Sequence, residues 1–122
     1  MEFTGSIRTY FESLLTGDLD RIRTAWEGDI YFREASGLPY VHWGKDAVID
    51  YFKGLFSEGA PMIRDNTINE GGRTMFMEFT VFGWNGEEWP VERHEAGLAV
   101  YERITREGLM NAIRIYDDVD FS

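Results

Sequence analysis

Near Gly59-Ala60-Pro61 the hydrophobic period of the chain changes from a helical repeat to strict alternation. No other feature limits its folds as much. Upstream, Ile7, Tyr10, Phe11, Leu14 and Leu15 form one apolar stripe, which predicts a helix over residues 4–16. Thr4 or Ser6 is placed to cap its start, and Gly17 to end it in the left-handed conformation. Asp18 then caps a second, short helix with Leu19, Ile22, Ala25 and Trp26 on one side, closed by Gly28 and Asp29. Two short strands, 30–35 and 39–43, lie around Ser36-Gly37, with Pro39 at a strand start. A third helix begins at Gly44-Lys45-Asp46 and runs to about Ser57. Its apolar positions are Ala47, Val48, Tyr51, Phe52, Leu55 and Phe56.

Downstream, alternation predicts four long strands at 62–70, 73–84, 88–102 and 108–118. Gly71-Gly72, Asn85-Gly86 and Arg106-Glu107-Gly108 mark the turns, Asn85-Gly86 being the strongest hairpin signal. Helices followed by long antiparallel strands predict the α+β class. The chain has 122 residues and no repeat or linker, so one domain spanning 1–122 is expected. The long strands are apolar on both faces: Phe76 and Phe82 share one face of 73–84, Met75, Met77, Phe79 and Val81 the other. A sheet covered by helices on one side leaves a polar face outside. A second apolar face therefore predicts another cover, a second copy of the chain in a homodimer.

Composition narrows the function. The net charge of −10 repels phosphate backbones and anionic lipid surfaces, which argues against nucleic-acid and membrane partners. No apolar run approaches the ~20 residues of a membrane span. The start, MEFTGSIRTYFE, has no apolar segment of a signal peptide, so a cytoplasmic protein is expected. Without cysteine there is no disulfide or thiolate metal site. Two histidines, His42 and His94, do not make a histidine-rich centre, and neither a metal nor a cofactor is expected. Aromatic residues at 16% suggest an aromatic-lined interior.

Glu34 is the leading candidate for chemistry. In a strand it shares a face with Ile30 and Phe32, and a desolvated carboxylate is a useful base or acid near neutral pH. The alternatives are an ion pair with a nearby arginine, or exposure at the strand end. Tyr10 lies on the apolar stripe of the first helix, so its hydroxyl needs either a buried partner or a ligand. Asp117 follows Ile113 and Ile115 on one strand face, ahead of an acidic tail. Glu78 shares a face with Phe76, Thr80 and Phe82; Arg93 and Glu95 share one with Gly97, Ala99 and Tyr101. These groups form either a polar rim or an ion-pair network inside the fold. His94 alternates onto the opposite face, and His42 is placed beside Trp43 before the third helix. Trp26, Tyr40 and Trp84 are candidate aromatic walls, with core packing as the alternative.

Three stretches, YFESLLTGDLDRIRTAW (10–26), GKDAVIDYFKGLF (44–56) and GLAVYERITREGLMNAIRIYDDVD (97–120), resemble the nuclear transport factor 2-like superfamily. That superfamily includes ketosteroid isomerases and SnoaL-like polyketide cyclases. The resemblance implies a cone: a curved, largely antiparallel mixed sheet wrapped around three N-terminal helices, with an interior pocket at the open end and dimers made through the outer face. Carried over from the isomerases, Tyr10 is the hydroxyl that bonds the substrate oxygen and Glu34 the carboxylate base. Gly97 falls where those enzymes have a second, protonated aspartate donor. From the cyclases, Asp117 is an acid/base candidate. From the limonene-epoxide hydrolases, Glu78 matches one aspartate, while Phe76 and Ile115 stand where an arginine and a second aspartate are needed. The implied activity is that of a cofactor-independent isomerase, cyclase or dehydratase acting on a small, largely apolar cyclic carbonyl compound such as a steroid, terpenoid or polyketide. The alternative is a non-catalytic ligand-binding or dimerisation module.

Overall fold

The computed structural model describes residues 4–34, 40–71, 73–105 and 107–117. The first helix, α1 (Gly5–Thr16), buries Ile7, Tyr10, Phe11 and Leu14 of the predicted stripe and leaves Leu15 half-buried at its edge. It stops at Gly17, whose φ of 68° lets the Asp18 N–H turn back to the Ser13 carbonyl at 3.0 Å. The predicted Thr4 and Ser6 caps are not made. The Thr4 hydroxyl instead accepts from buried Arg103, and Ser6 donates to the Gly108 carbonyl. Asp18 does cap α2 (Leu19–Ile22), accepting from the Arg21 N–H. A single turn of 3-10 helix, Arg23–Ala25, leads into β1 (Trp26–Arg33). After β2 (Val41–Trp43), Gly44 at φ 85° opens α3 (Lys45–Phe56), which buries Val48 and Phe52.

The remaining strands are β3 (Pro61–Gly71), β4 (Thr74–Trp84), β5 (Glu87–Glu88), β6 (Glu95–Arg103) and β7 (Met110–Asp117). One curved, unclosed sheet runs β2-β1-β7-β6-β4-β3, with β5 beside β4. All described pairings are antiparallel except β1 with β7. Register shifts interrupt the β1–β7, β3–β4 and β6–β7 pairings, and extra residues of this kind bend a strand and raise its twist. The helices fill the concave side, so the fold is the α+β cone. Its core joins Ile7, Tyr10 and Phe11 of α1 to Trp26, Ile30 and Phe32 of β1, Phe52 of α3, and Met75, Met77, Ala99, Tyr101 and Ile113 of the sheet.

Two boundaries differ from the sequence pattern. β1 starts at Trp26, four residues early. The shift between Trp26 and Tyr31 absorbs Glu27-Gly28-Asp29, which only looked like a helix stop. The predicted strand 88–102 is broken. β5 and β6 both pair with β4, at Gly83↔Glu88 and Val81↔Glu95, and residues 89–94 leave the ladder between them. Pro90, which has no N–H to give a ladder, begins the excursion, and a 3-10 turn over Val91–Arg93 completes it.

Candidate active site

Between the helices and the concave face lies a cavity of about 200 Å³. Its lining is mostly aromatic and aliphatic: Leu14 from α1, Phe32 from β1, Tyr51, Phe52 and Leu55 from α3, and Pro61, Ile63, Met77, Phe79, Val81 and Ile115 from the sheet. The polar groups reaching it belong to Tyr10, Tyr51, Tyr101, Trp84, Trp89 and Glu95. Tyr10 and Tyr101 are 2% and 1% exposed, whereas Glu95 is exposed, so the cavity runs from a tyrosine floor to a mouth beside Glu95.

The floor is an aromatic cluster. The Tyr10 ring lies 5.4 Å from Tyr101 and 6.0 Å, edge-on, from Phe52. Trp26 packs 5.3 Å from Phe52, behind that layer. Among the described residues the Tyr10 and Tyr101 hydroxyls make no hydrogen bond. Burial pushes the Tyr10 hydroxyl well above its ordinary ionisation range, with Tyr101 and Tyr51 adding to it, and burial raises Tyr101 likewise. Tyr51 is pushed up to about 12 by burial and then by the Glu34 carboxylate. All three are therefore neutral hydrogen-bond donors at ordinary pH.

Glu34 itself is outside the lining. It lies one residue beyond β1, where its N–H donates to the Tyr40 carbonyl and its Oε2 accepts from His42 Nε2 at 2.6 Å. Each side chain of the pair is 26% exposed. The arrangement corrects the expectation of a carboxylate held on an apolar strand face: its partner is a histidine across the β1–β2 ladder, which brings Phe32 opposite His42. The His42 ring packs 4.9 Å from Tyr51, so the pair stands one side chain behind the cavity wall.

The other candidates separate. Trp84 and Tyr101 line the cavity, as does Glu95. Trp26 is fully buried outside it, its indole Nε1 without a hydrogen-bond partner among the described residues. Tyr40 is 49% exposed and also outside. Glu78 is exposed on the convex face beside Phe76, because the buried residues of β4 are Met75, Met77 and Phe79. Of the three positions of the epoxide-hydrolase pattern, Glu78 and Phe76 therefore face away from the cavity, while Ile115 lines it. Arg93 and His94 act on Trp89: the Arg93 guanidinium sits 5.2 Å over the indole, and His94 Nε2 donates to the Trp89 carbonyl at 2.9 Å. Asp117 ends β7 opposite Gly97, and its side chain lies outside the described residues.

Gly97 has a steric reason. A Cβ there would come within 2.5 Å of Phe79 Cζ and 2.7 Å of the Tyr116 carbonyl oxygen. No aspartate fits where a second oxyanion donor would stand. Trp89 and Tyr51 are lining residues that pattern reasoning missed. Tyr51 was read as ordinary helix stripe, and the Trp89-Pro90 pair was the available signal that a strand breaks and turns a side chain inward.

Among the described residues, no group of three histidine or carboxylate side chains is placed to hold a metal ion, and no helix is long and apolar enough to cross a membrane.

No protein-family model and no curated protein sequence matches the chain. Solved structures do. The chain is similar to a nuclear transport factor 2-like protein of Cytophaga hutchinsonii, at TM-score 0.70 and 12% identity, over 97% of this chain and 95% of that one. It is similar to an epoxide hydrolase of the limonene-epoxide hydrolase type from M. tuberculosis, at TM-score 0.73 and 14% identity, over 93% and 80%. It is also similar to a polyketide cyclase-like protein of Xanthomonas campestris, at TM-score 0.71 and 16% identity, over 93% and 87%. The chain has the nuclear transport factor 2-like fold. Identities this low establish the architecture, and the chemistry has to be argued from the cavity.

Proposed function

We propose that the chain is a cofactor-independent acid/base enzyme acting on a small, largely apolar carbonyl compound bound in the cavity. The observation that carries this reading is Tyr10: a buried, neutral hydroxyl with no hydrogen bond among the described residues, on the lining of an apolar space. A hydroxyl sealed away without a partner would cost ~1–3 kcal/mol; this one opens onto the cavity, where a ligand oxygen can accept its proton. In the reaction proposed here, the hydroxyl donates to a carbonyl oxygen and strengthens that bond as negative charge develops on it. The proton acceptor in contact with the cavity is Glu95. Glu34, held by His42, stands behind Tyr51 and is the source or sink that restores protons to the site. Asp117, at the end of the strand carrying Ile115, is a second candidate for returning the proton by its register position.

The test is a pair of variants. Tyr10→Phe should keep the fold while weakening ketone binding or turnover, and Glu95→Gln should remove turnover of a ketone that still binds. Loss of several kcal/mol of stability in Tyr10→Phe, with every ligand response unchanged, would make Tyr10 a core residue and end this reading. The alternative, a binding module without chemistry, is favoured by one feature: Glu34 is already paired outside the lining.

The homodimer belongs to the same proposal. Phe76 and Tyr116, 46% and 41% exposed, lie on the convex face, where Arg33 also packs 4.7 Å over the Tyr116 ring. A second copy on that face would bury them. Sedimentation of a 14.2 kDa monomer at micromolar concentration would count decisively against it.

A further inference from the structure

We propose that the cavity takes an uncharged molecule of about ten non-hydrogen atoms, in one ring or two fused rings, with its oxygen on Tyr10 and its far end beside Glu95. The inference rests on the reading above only in taking the same cavity as the ligand site.

Size follows from volume. A dry apolar cavity of about 150 Å³ takes benzene. At the interior packing density of ~0.74, a space of about 200 Å³ encloses the van der Waals volume of roughly ten carbon-sized atoms with their hydrogens. A four-ring skeleton of about seventeen carbons needs nearly twice that at the same density. The walls that would have to give are Phe32, Phe52, Met77 and Phe79, all buried core residues.

Charge follows from the lining. Among the described residues, no lysine, arginine or histidine contributes to it. Glu95 is its charged residue and makes no hydrogen bond or ion pair among the described residues. An anion would be desolvated beside a carboxylate with no cation to offset it. At the floor, Tyr10 and Tyr101 are neutral hydroxyls that donate to a ligand oxygen, and among the described residues no carboxylate there offsets the desolvation of an ammonium. Orientation follows from burial, since the donors are at the closed end and Glu95 at the exposed one.

The experiment is calorimetric titration of the intact chain with four probes: 2-decalone, decalin-2-carboxylate, 2-aminodecalin and the steroid diketone androst-4-ene-3,17-dione. Saturable 2-decalone binding is expected, with the other three at least ~10-fold weaker. Tyr10→Phe should weaken 2-decalone about fivefold, the ratio one net hydrogen bond supplies. Glu95→Gln should shrink the ketone-over-carboxylate preference. Steroid binding as tight as 2-decalone overturns the size limit while the acid/base reading stands. Carboxylate or amine binding as tight as 2-decalone overturns the charge assignment. Conversely, 2-decalone binding in the expected order without deuterium exchange of its α-hydrogens supports this inference and removes the enzyme. Failure of all four probes to bind overturns both.

Discussion

The cavity floor and the β1–β2 corner treat their polar groups in opposite ways. At the corner, every polar group the sequence made suspicious has found a partner: Glu34 takes the His42 N–H, and its own N–H goes to Tyr40. At the floor, Tyr10 and Tyr101 are more deeply buried, yet among the described residues their hydroxyls have none. A carboxylate near apolar residues attracts attention in a sequence, but at a strand end it is easily satisfied by a cross-strand neighbour. A tyrosine on an apolar stripe looks like core, and only the assembled interior shows that its hydroxyl is unmatched. On the proposed reading, the ligand site belongs where polar groups lack partners.

The largest expected effect comes from removing the ring that holds the floor together. Phe52 is 1% exposed and packs against Tyr10, Trp26, Phe32, Tyr51 and Phe56. Phe52→Ala should cost ~3–5 kcal/mol, as large-to-small core changes do, read as the shift in denaturant midpoint. If the variant folds, its widened cavity should accept larger ketones. An equal cost from Tyr31→Ala, whose ring is only half-buried against exposed Trp43, would erase the distinction between floor and corner.

Gly97→Ala comes next. The new methyl meets Phe79 and the Tyr116 carbonyl, and a carbonyl in a sheet ladder does not move cheaply. Overpacking of this kind costs ~1–3 kcal/mol, and displacing Phe79 should also weaken ligand binding, since that ring lines the cavity. A neutral result in both thermal unfolding and ligand titration would mean the wall is softer than its burial implies.

How much of this was legible beforehand depends on the range of the interactions. The α1 stripe, the Gly17 stop, the Asp18 cap and the Asn85-Gly86 turn are local, and all four are present. Alternation placed Met75, Met77 and Phe79 together, and they are the buried face of β4. Which face points inward is not a local property, so Glu78 could be put on the cavity side although it points out. The pairing of Glu34 with His42 depends on the β1–β2 register, and the turn of Trp89 depends on where Pro90 leaves the β4–β5 ladder before β6 rejoins β4. Tyr10, Glu95 and Tyr101 reach the cavity because each lies on an apolar stripe or strand face, where periodicity is the deciding signal; Trp84, which alternation groups with outward Glu78, reaches it through the register shift beside Phe82.

Alkaline pH should expose the floor before the corner. Tyr51, raised from 10.0 to about 12, keeps its proton in the folded state while the unfolded chain loses it. With more protons bound in the native state, stability falls as pH rises, from the unfolded value near 10 through the folded one. The slope is at most ~1.4 kcal/mol per pH unit for each such group, and Tyr10 and Tyr101, raised in the same direction, extend the loss upward. Denaturation midpoints measured across this range should fall steadily, and Tyr51→Phe should flatten the lower part of the decline. A midpoint that holds level to strongly alkaline pH would mean that the floor tyrosines ionise in place, in contact with water.

The smallest effect concerns the electrostatic link between the two regions. The Glu34–His42 pair is a quarter exposed, so Glu34→Gln should cost no more than ~1 kcal/mol. The same carboxylate is the secondary cause of the Tyr51 shift, after burial. Glu34→Gln should therefore bring the Tyr51 ionisation down from about 12 while burial keeps it above 10.0, read from tyrosinate absorbance in a background where other tyrosines are assigned by substitution. Tyr10 is raised by burial, Tyr101 and Tyr51, not by Glu34, and should not follow. If Tyr51 does not move, the corner is electrostatically cut off from the cavity, and proton exchange between Glu34 and a bound ligand loses its hydroxyl-bearing wall contact. If Tyr10 moves as well, the two regions are one coupled site, and the division between a satisfied corner and an unsatisfied floor no longer holds.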